Sequence, residues 1–299
     1  MRLDDNTCFE QTKANQLDIG CLPPDQVAGV ALQYGVSRTR PVGTGRFWVK
    51  PVGCQFTLLF HHRRALFSQN LRLRQAVNWA VDRTAVAELY GPYAVTPWTH
   101  ILPPGFPGAI TAGQLQPYSL RPNLAKARQL AAGHLRDGNI RVAYQSAGRV
   151  GPATAEMIHQ ALIDLGFDPS RIDMQGFAGP SFIEAVAGTN PPFDLVVGIG
   201  LCSDTPDPAT LLQPWLSFGP FSPQSAAYRR KLEALSRALK GKARLRALGR
   251  FDLELTKKLA PSAMLSTSND LTFFSDRVDP ASLAYSPVYR WSFTALRLK

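Results

Sequence analysis

Between residues 140 and 200 the alternation of apolar and polar positions changes period several times. "IRVAYQSA", from Ile140, is rich in β-branched and aromatic residues and predicts a strand. "GPATAEMIHQALIDLGF" follows with Ala155, Ile158, Ala161, Leu162 and Leu165 on one helical face, and Gly166 sits where a helix cap belongs. "RIDMQGF" predicts a second strand, "PSFIEAVAG" a short helix opened by Pro180 and closed by Gly188, and "FDLVVGIG" a third strand. Strand, helix, strand, helix, strand is the pattern of an α/β layer with parallel strands, because parallel neighbours need helical crossovers. The near-continuous apolar third strand fits burial on both faces.

Other stretches fill in the chain. "LRLRQAVNWAVDRTAVAELY", residues 71–90, predicts one strong helix. Ala76, Val77, Ala80 and Val81 would pack inward, and Arg74, Asn78 and Asp82, four apart, would line one stripe. Arg74 and Asp82 are expected to tie that helix to neighbouring loops. "GPYAVTPWTHILPPGFPG" is too rich in Pro and Gly for regular structure. Its Tyr93, Trp98 and Phe106 either line a pocket or anchor the loop. "RPNLAKARQLAAGH" predicts a helix capped by Asn123, and the last forty residues are strand and turn material. Residues 228–260 predict one or two amphipathic helices, broken near Gly241.

Charge alters the reading of that last segment. Eleven Lys and Arg against three acids make residues 228–260 the source of +8 of the net +11. The basic face is either solvated surface or a phosphate-binding face. Interleaved aromatics are few, and no zinc-finger spacing or RNA-binding signature occurs. Overall, 45% apolar residues support a real core and exclude general disorder. No apolar run is long enough to span a bilayer. The N-terminus, "MRLDDNTCFEQTKANQLDIG", is polar and acidic with no apolar core, so it is not a signal peptide as written.

Candidate chemistry is sparse. Cys8, Cys21, Cys54 and Cys202 form no C-x-x-C motif, so zinc ligation is poorly supported. Cys8 and Cys21 could pair in an oxidising compartment, and Cys202 reads as a small buried hydrophobe. His61 and His62 are adjacent and would point apart on a strand. No nucleophile with a nearby base, no G-x-S-x-G and no phosphate loop is present, and "PVGTGRFW" leads into strand-like residues. A binding protein without a cofactor or metal is expected, not an enzyme.

The most informative position lies past the third strand. Ligands of open α/β sheets sit beyond the carboxyl ends of the strands. There the chain reads "LCSDTPDPATLL", Leu201 to Leu212. Asp207 before Pro208 is a helix N-cap followed by a first-turn proline. Asp204 has no such role. It either receives a cationic group such as an ammonium or accepts hydrogen bonds inside its own loop.

Together, "LRLRQAVNWAVDR", "ILPPGFPG", the R-P-x-L-A-x-A-R helix, the βαβαβ run and "FDLVVGIGLCSDTPDPATLL" resemble the C-terminal half of the peptide-type (family 5) extracellular solute-binding proteins. These are the dipeptide-, oligopeptide- and nickel-binding receptors of bacterial ABC importers. The resemblance covers roughly residues 15–299. It implies a periplasmic-binding-protein-like α/β fold with one complete lobe plus remnants of a second. Residues 1–62 would be a first-lobe remnant and crossover strand, 63–262 the complete lobe, and 263–299 the crossover back.

The resemblance further implies an importer's substrate-binding subunit that captures oligopeptides, or similar small ligands, outside the cytoplasmic membrane. It would deliver them to ABC permease subunits with their ATPase. Asp204 would pair with the peptide ammonium, with Ser203, Cys202 and Leu201 beside it and Arg74, Asn78, Asp82 and Asp207 in support. No nucleic acid is expected. Many relatives carry Trp where this chain has Leu201. Relatives are usually longer, with a signal peptide and a full first lobe, which implies a truncated product, a remnant or a start placed within a longer frame. The alternative class is a basic surface-binding protein for nucleic acid or anionic lipid, or a fragment without function.

Overall fold

The computed structural model describes residues 4–110 and 115–299. Nine strands run along them: β1 (Ile19–Gly20), β2 (Phe47–Phe60), β3 (Val95–Pro97), β4 (Ile140–Gln145), β5 (Ile172–Phe177), β6 (Leu195–Cys202), β7 (Ser262–Phe274), β8 (Tyr285–Ser286) and β9 (Arg290–Trp291). The first helices are α1 (Asp5–Lys13), α2 (Val27–Tyr34), α3 (Leu71–Ala80), α4 (Arg83–Glu88) and α5 (Leu124–Ala131). Then come α6 (Val150–Asp164), α7 (Pro180–Val186), α8 (Pro208–Leu212), α9 (Pro214–Ser217), α10 (Ala226–Ala238) and α11 (Gly241–Lys258). Hydrogen-bonded strand order is β1-β7-β2-β6-β4-β5, with β3 on β7 and a separate β8-β9 pair.

The chain forms two compact units. One comprises Met1–Gly53, Tyr90–Thr96 and Ser268–Lys299; the other comprises Cys54–Leu89 and Pro97–Thr267. In the smaller unit, Phe9, Val27, Val30, Phe47, Val49 and Phe273 form one apolar cluster, and Trp48, Phe274, Val278 and Trp291 another. The Lys50 ammonium lies over the Trp48 ring at 4.6 Å. Burial lowers its pKa from the ordinary lysine value.

In the larger unit, β4 runs parallel to β5 and to β6, as the βαβαβ pattern predicts. Helix α6 packs on all three strands and α7 on β4 and β5. The face of α6 that carries Ala155, Ile158 and Leu162 is buried. Gly166, just past its end, has a φ of 104°, a conformation that costs glycine little. β6 also pairs antiparallel with β2. That ladder slips by one residue between Thr57 and Leu58, so Gly198 has no partner opposite it. Gly198 carries a φ of 94°, and the result is a bulge at a glycine.

Two elements differ from expectation. The helix predicted over 71–90 is two helices, because Val81 turns extended and the Asp82 side chain accepts from Ala85 N–H at 2.9 Å to cap α4. The stripe of Arg74, Asn78 and Asp82 therefore ends at Asn78. The Pro/Gly-rich loop contains β3, held by Asn269 N–H donating to the Ala94 carbonyl at 2.9 Å. Trp98 and Phe106 are buried anchors in that segment. Residues 228–260 divide at Gly241, as the sequence predicts.

Candidate functional site

β6 carries the chain to the loop 203–207, and its last residue is covalently fixed. Cys202 faces Cys54 directly across the antiparallel pair, with Cα atoms 4.0 Å apart, and the two form a disulfide. This corrects both cysteine expectations. Cys202 is exposed and bridged, not a buried hydrophobe. Cys8 and Cys21 are free thiols, with Cys21 N–H donating to Cys8 Sγ at 2.9 Å. The neighbouring Cys8 sulfur and partial burial push the Cys21 thiol up to about 11. The bridge joins positions 148 residues apart, so it restrains a long loop in the unfolded chain, worth about 5 kcal/mol in the chain-entropy account.

The two aspartates of the loop have opposite circumstances. Asp207 accepts from Ala209 N–H at 2.9 Å, capping α8 with Pro208 in its first turn. Arg244 of α11 donates from Nη2 to both carboxylate oxygens, at 2.8 and 2.9 Å. Asp207 is fully engaged as a structural group. Thr205 and Thr210 share a hydroxyl contact at 2.8 Å, and Ser203 Oγ donates to the Thr205 carbonyl at 2.6 Å. The loop thus closes on itself through Ser203, Thr205 and Asp207. Asp204 stands at its exposed crest, and among the described residues no hydrogen bond or ion pair to its carboxylate occurs. The loop-internal hydrogen bond that sequence left open for Asp204 is not made.

Leu201 is half-buried and lines an apolar cavity of about 410 Å³. Leu59, Phe182, Ile199 and Phe218 line it too, with Gln145 from the end of β4. The bulge at Gly198 and the bare backbone of Gly200 lie along it.

The remaining predicted residues gather elsewhere. Arg74 is buried, and its guanidinium donates to the Phe67, Leu259 and Ala260 carbonyls at 2.6–3.2 Å. Asn78 donates to the Ser262 carbonyl at 3.2 Å. Arg83, to which the sequence alone assigns no role, is fully buried. It donates to Met264 O at 2.6 Å, Asn78 O at 2.8 Å, Asn78 Oδ1 at 2.9 Å and Ser119 O at 3.2 Å. Burial lowers both guanidinium pKa values to about 10, so both stay charged at neutral pH. None of these bonds reaches residues 201–207. This group holds α3 and α4 to the segment 259–264. The signal available in sequence was an Arg directly after an N-cap Asp in an otherwise apolar helix pattern.

Among the described residues no group of three or more His, Cys, Asp or Glu is placed to hold a metal ion. No helix there is long and apolar enough to cross a membrane.

An open-sheet lobe with its polar loop beyond β6 is a periplasmic-binding-protein-like architecture, and the comparisons agree. A family profile described as bacterial extracellular solute-binding proteins, family 5 (middle) matches residues 2–223, and the chain belongs to that family. HbpA2 from Haemophilus parasuis superposes with a TM-score of 0.78 at 17% identity, covering 100% of this chain and 57% of that one. MppA, a periplasmic murein tripeptide binding protein in unliganded open form, gives 0.72 at 16%, covering 96% and 53%. A dipeptide binding protein from Pseudoalteromonas sp. SM9913, in complex with Met-Leu, gives 0.63 at 17%, covering 100% and 57%. At such identities the likeness shows the fold. The chain spans little more than half the length of these relatives. No curated protein matches the sequence.

Proposed function

We propose that this chain is the substrate-binding part of an ABC importer, capturing short peptides outside the cytoplasmic membrane for delivery to permease subunits with their ATPase. The family, the peptide-bound relative and the disulfide all support this reading. Residues 63–262 act as the ligand-bearing lobe, with 1–62 and 263–299 belonging to the crossover and first lobe. Asp204 receives the peptide's α-ammonium. The observation that carries this is the contrast within one loop: Asp207 is consumed by a cap and an arginine, while Asp204 is exposed and unpaired at the end of β6. An exposed carboxylate with no partner inside its own loop suits an incoming cation, and a charge-assisted hydrogen bond would fix the register of an extended ligand. Ser203, Cys202 and Leu201 shape the approach, and the disulfide keeps the loop's root in place.

Calorimetry with a panel of short peptides and their N-acetylated forms tests this. Peptides with a free ammonium should bind, acetylation should weaken them roughly tenfold or more, and Asp204→Asn should abolish that difference. Equal affinity of free and acetylated peptides for the unaltered chain would sink the assignment of Asp204.

A further inference from the structure

The α10–α11 hairpin carries a surface that neither the fold nor peptide capture uses. Three acids lie in residues 228–260, and each is limited as a counter-charge. Asp252 is buried and accepts from the Ile101 and Leu102 N–H groups. Glu254 is taken by Lys231 and Lys258. Glu233 is a single exposed acid amid the cations. Two arginines are also committed: Arg244 to Asp207, and Arg229 to the Leu216 carbonyl. Seven cations remain exposed and without an ion pair among the described residues. Four of these, Lys242, Arg246, Arg250 and Lys257, fall at helical spacing along one stripe of α11.

Beside the stripe, a groove of about 340 Å³ runs between the helices. Its apolar positions are Leu235, Leu239, Ala243, Ala247 and the edge of Phe251; Arg246 and Arg250 stand among them, and at one end Lys231 pairs with Glu254. Cations flanking an apolar trough match a layer whose phosphates sit directly above hydrocarbon.

We propose that this face docks on an anionic phospholipid bilayer surface, with headgroup phosphates on the α11 stripe and the groove turned toward the interface. Two observations favour lipid over nucleic acid. The face offers no free ring for base stacking, since Phe251 is buried and the half-buried Tyr228 ring packs against it, with centroids 5.9 Å apart. The Cys54–Cys202 bridge fits an oxidising compartment, outside the cytoplasm that holds the cell's nucleic acid. This inference stands whether or not the ligand is a peptide.

The test is co-sedimentation of the unaltered chain with phosphatidylcholine vesicles and with vesicles containing phosphatidylglycerol. Partition onto the anionic vesicles should be roughly tenfold stronger at low salt, and most of that gain should vanish in molar salt. Lys242→Glu with Arg246→Glu and Arg250→Glu should remove it while circular dichroism and thermal melting stay unchanged. All three residues are exposed, and should the triple variant fold poorly, the lipid and salt comparisons on the unaltered chain decide alone. Equal partition onto neutral and anionic vesicles overturns the proposal. So does a folded triple variant that binds as before, or tighter binding to a DNA duplex than to anionic vesicles at the same salt.

Discussion

Helix-borne arginines appear in two places in this molecule and do opposite things. On α3 and α4, Arg74 and Arg83 are buried, and backbone carbonyls surround their guanidiniums. On α10 and α11, most cations face water with nothing to hold. The chemical group is the same; the number of fixed acceptors around it differs. A guanidinium offers five donors in a rigid fork, so it can staple several backbone segments when carbonyls converge on it. Where none converge, it contributes charge to the surface and little to stability. The comparison teaches that helical spacing locates a face, while acceptors from distant segments decide whether a charge on it is structure or surface.

The sharpest way to break that comparison is Arg83→Met. The substitution keeps much of the volume but strands four acceptors: Met264 O, Asn78 O, Asn78 Oδ1 and Ser119 O. Several buried acceptors left unpaired at once should cost about 3–5 kcal/mol, read from the denaturant midpoint at constant m-value. A loss below about 1 kcal/mol would mean that the carbonyls find other partners and that burial alone does not define a staple.

The next largest effect is expected from a buried base on the same side of the contrast. His62 is buried against the Pro261 carbonyl, 2.8 Å from Nε2, which therefore carries the proton in the neutral ring. Burial, with Arg74 nearby, lowers its pKa from 6.5 to about 3. The fold favours the neutral ring, so this contribution is complete above pH 6.5 and declines as pH falls toward about 3. Between pH 6.5 and 4 the loss should reach about 3 kcal/mol at 1.36 kcal/mol per unit. Burial also lowers the pKa of His61, which adds its own pH dependence, so the informative quantity is the difference between the unaltered chain and His62→Gln. Parallel stability curves for the two across that range would remove His62 from the account.

What could be read from the sequence follows the same division. Local periodicity located β4, α6, β5, α7 and β6, because each residue's face is set by its immediate neighbours. The Asp207-Pro208 cap was legible for the same reason: donor, acceptor and proline lie within three residues. The partners of Asp207 and of Arg83 were not legible, since Arg244 and Met264 lie far along the chain. Cys54 was paired with Cys202 only by the register of β2 against β6, across 148 residues. The break at Val81 is hidden in the sequence because apolar spacing continues through it, while the backbone signal is the Asp82 cap. Asp204 stands out in the sequence by position alone, while its want of a partner is a property of the whole loop's hydrogen bonding.

Between the extremes stands the Asp207–Arg244 pair, and it separates two contributions that one residue makes. Arg244 is mostly buried, Asp207 about half. A double-mutant cycle with Asp207→Asn and Arg244→Ala should give a coupling of about 0.5–1 kcal/mol, the range of a partly solvated ion pair. Asn still caps a helix, so Asp207→Asn should keep the Ala209 N–H bond, whereas Asp207→Ala should cost about 1 kcal/mol more. If Asn and Ala at 207 are equally destabilising, the cap contributes nothing and the arginine carries the whole effect. Past this pair the trend should run out: Arg250→Ala, on the open stripe, is expected to change stability by less than about 0.5 kcal/mol. A larger loss there would mean that the exposed cations of α11 find acceptors too, and the two kinds of arginine would then differ in degree and not in role.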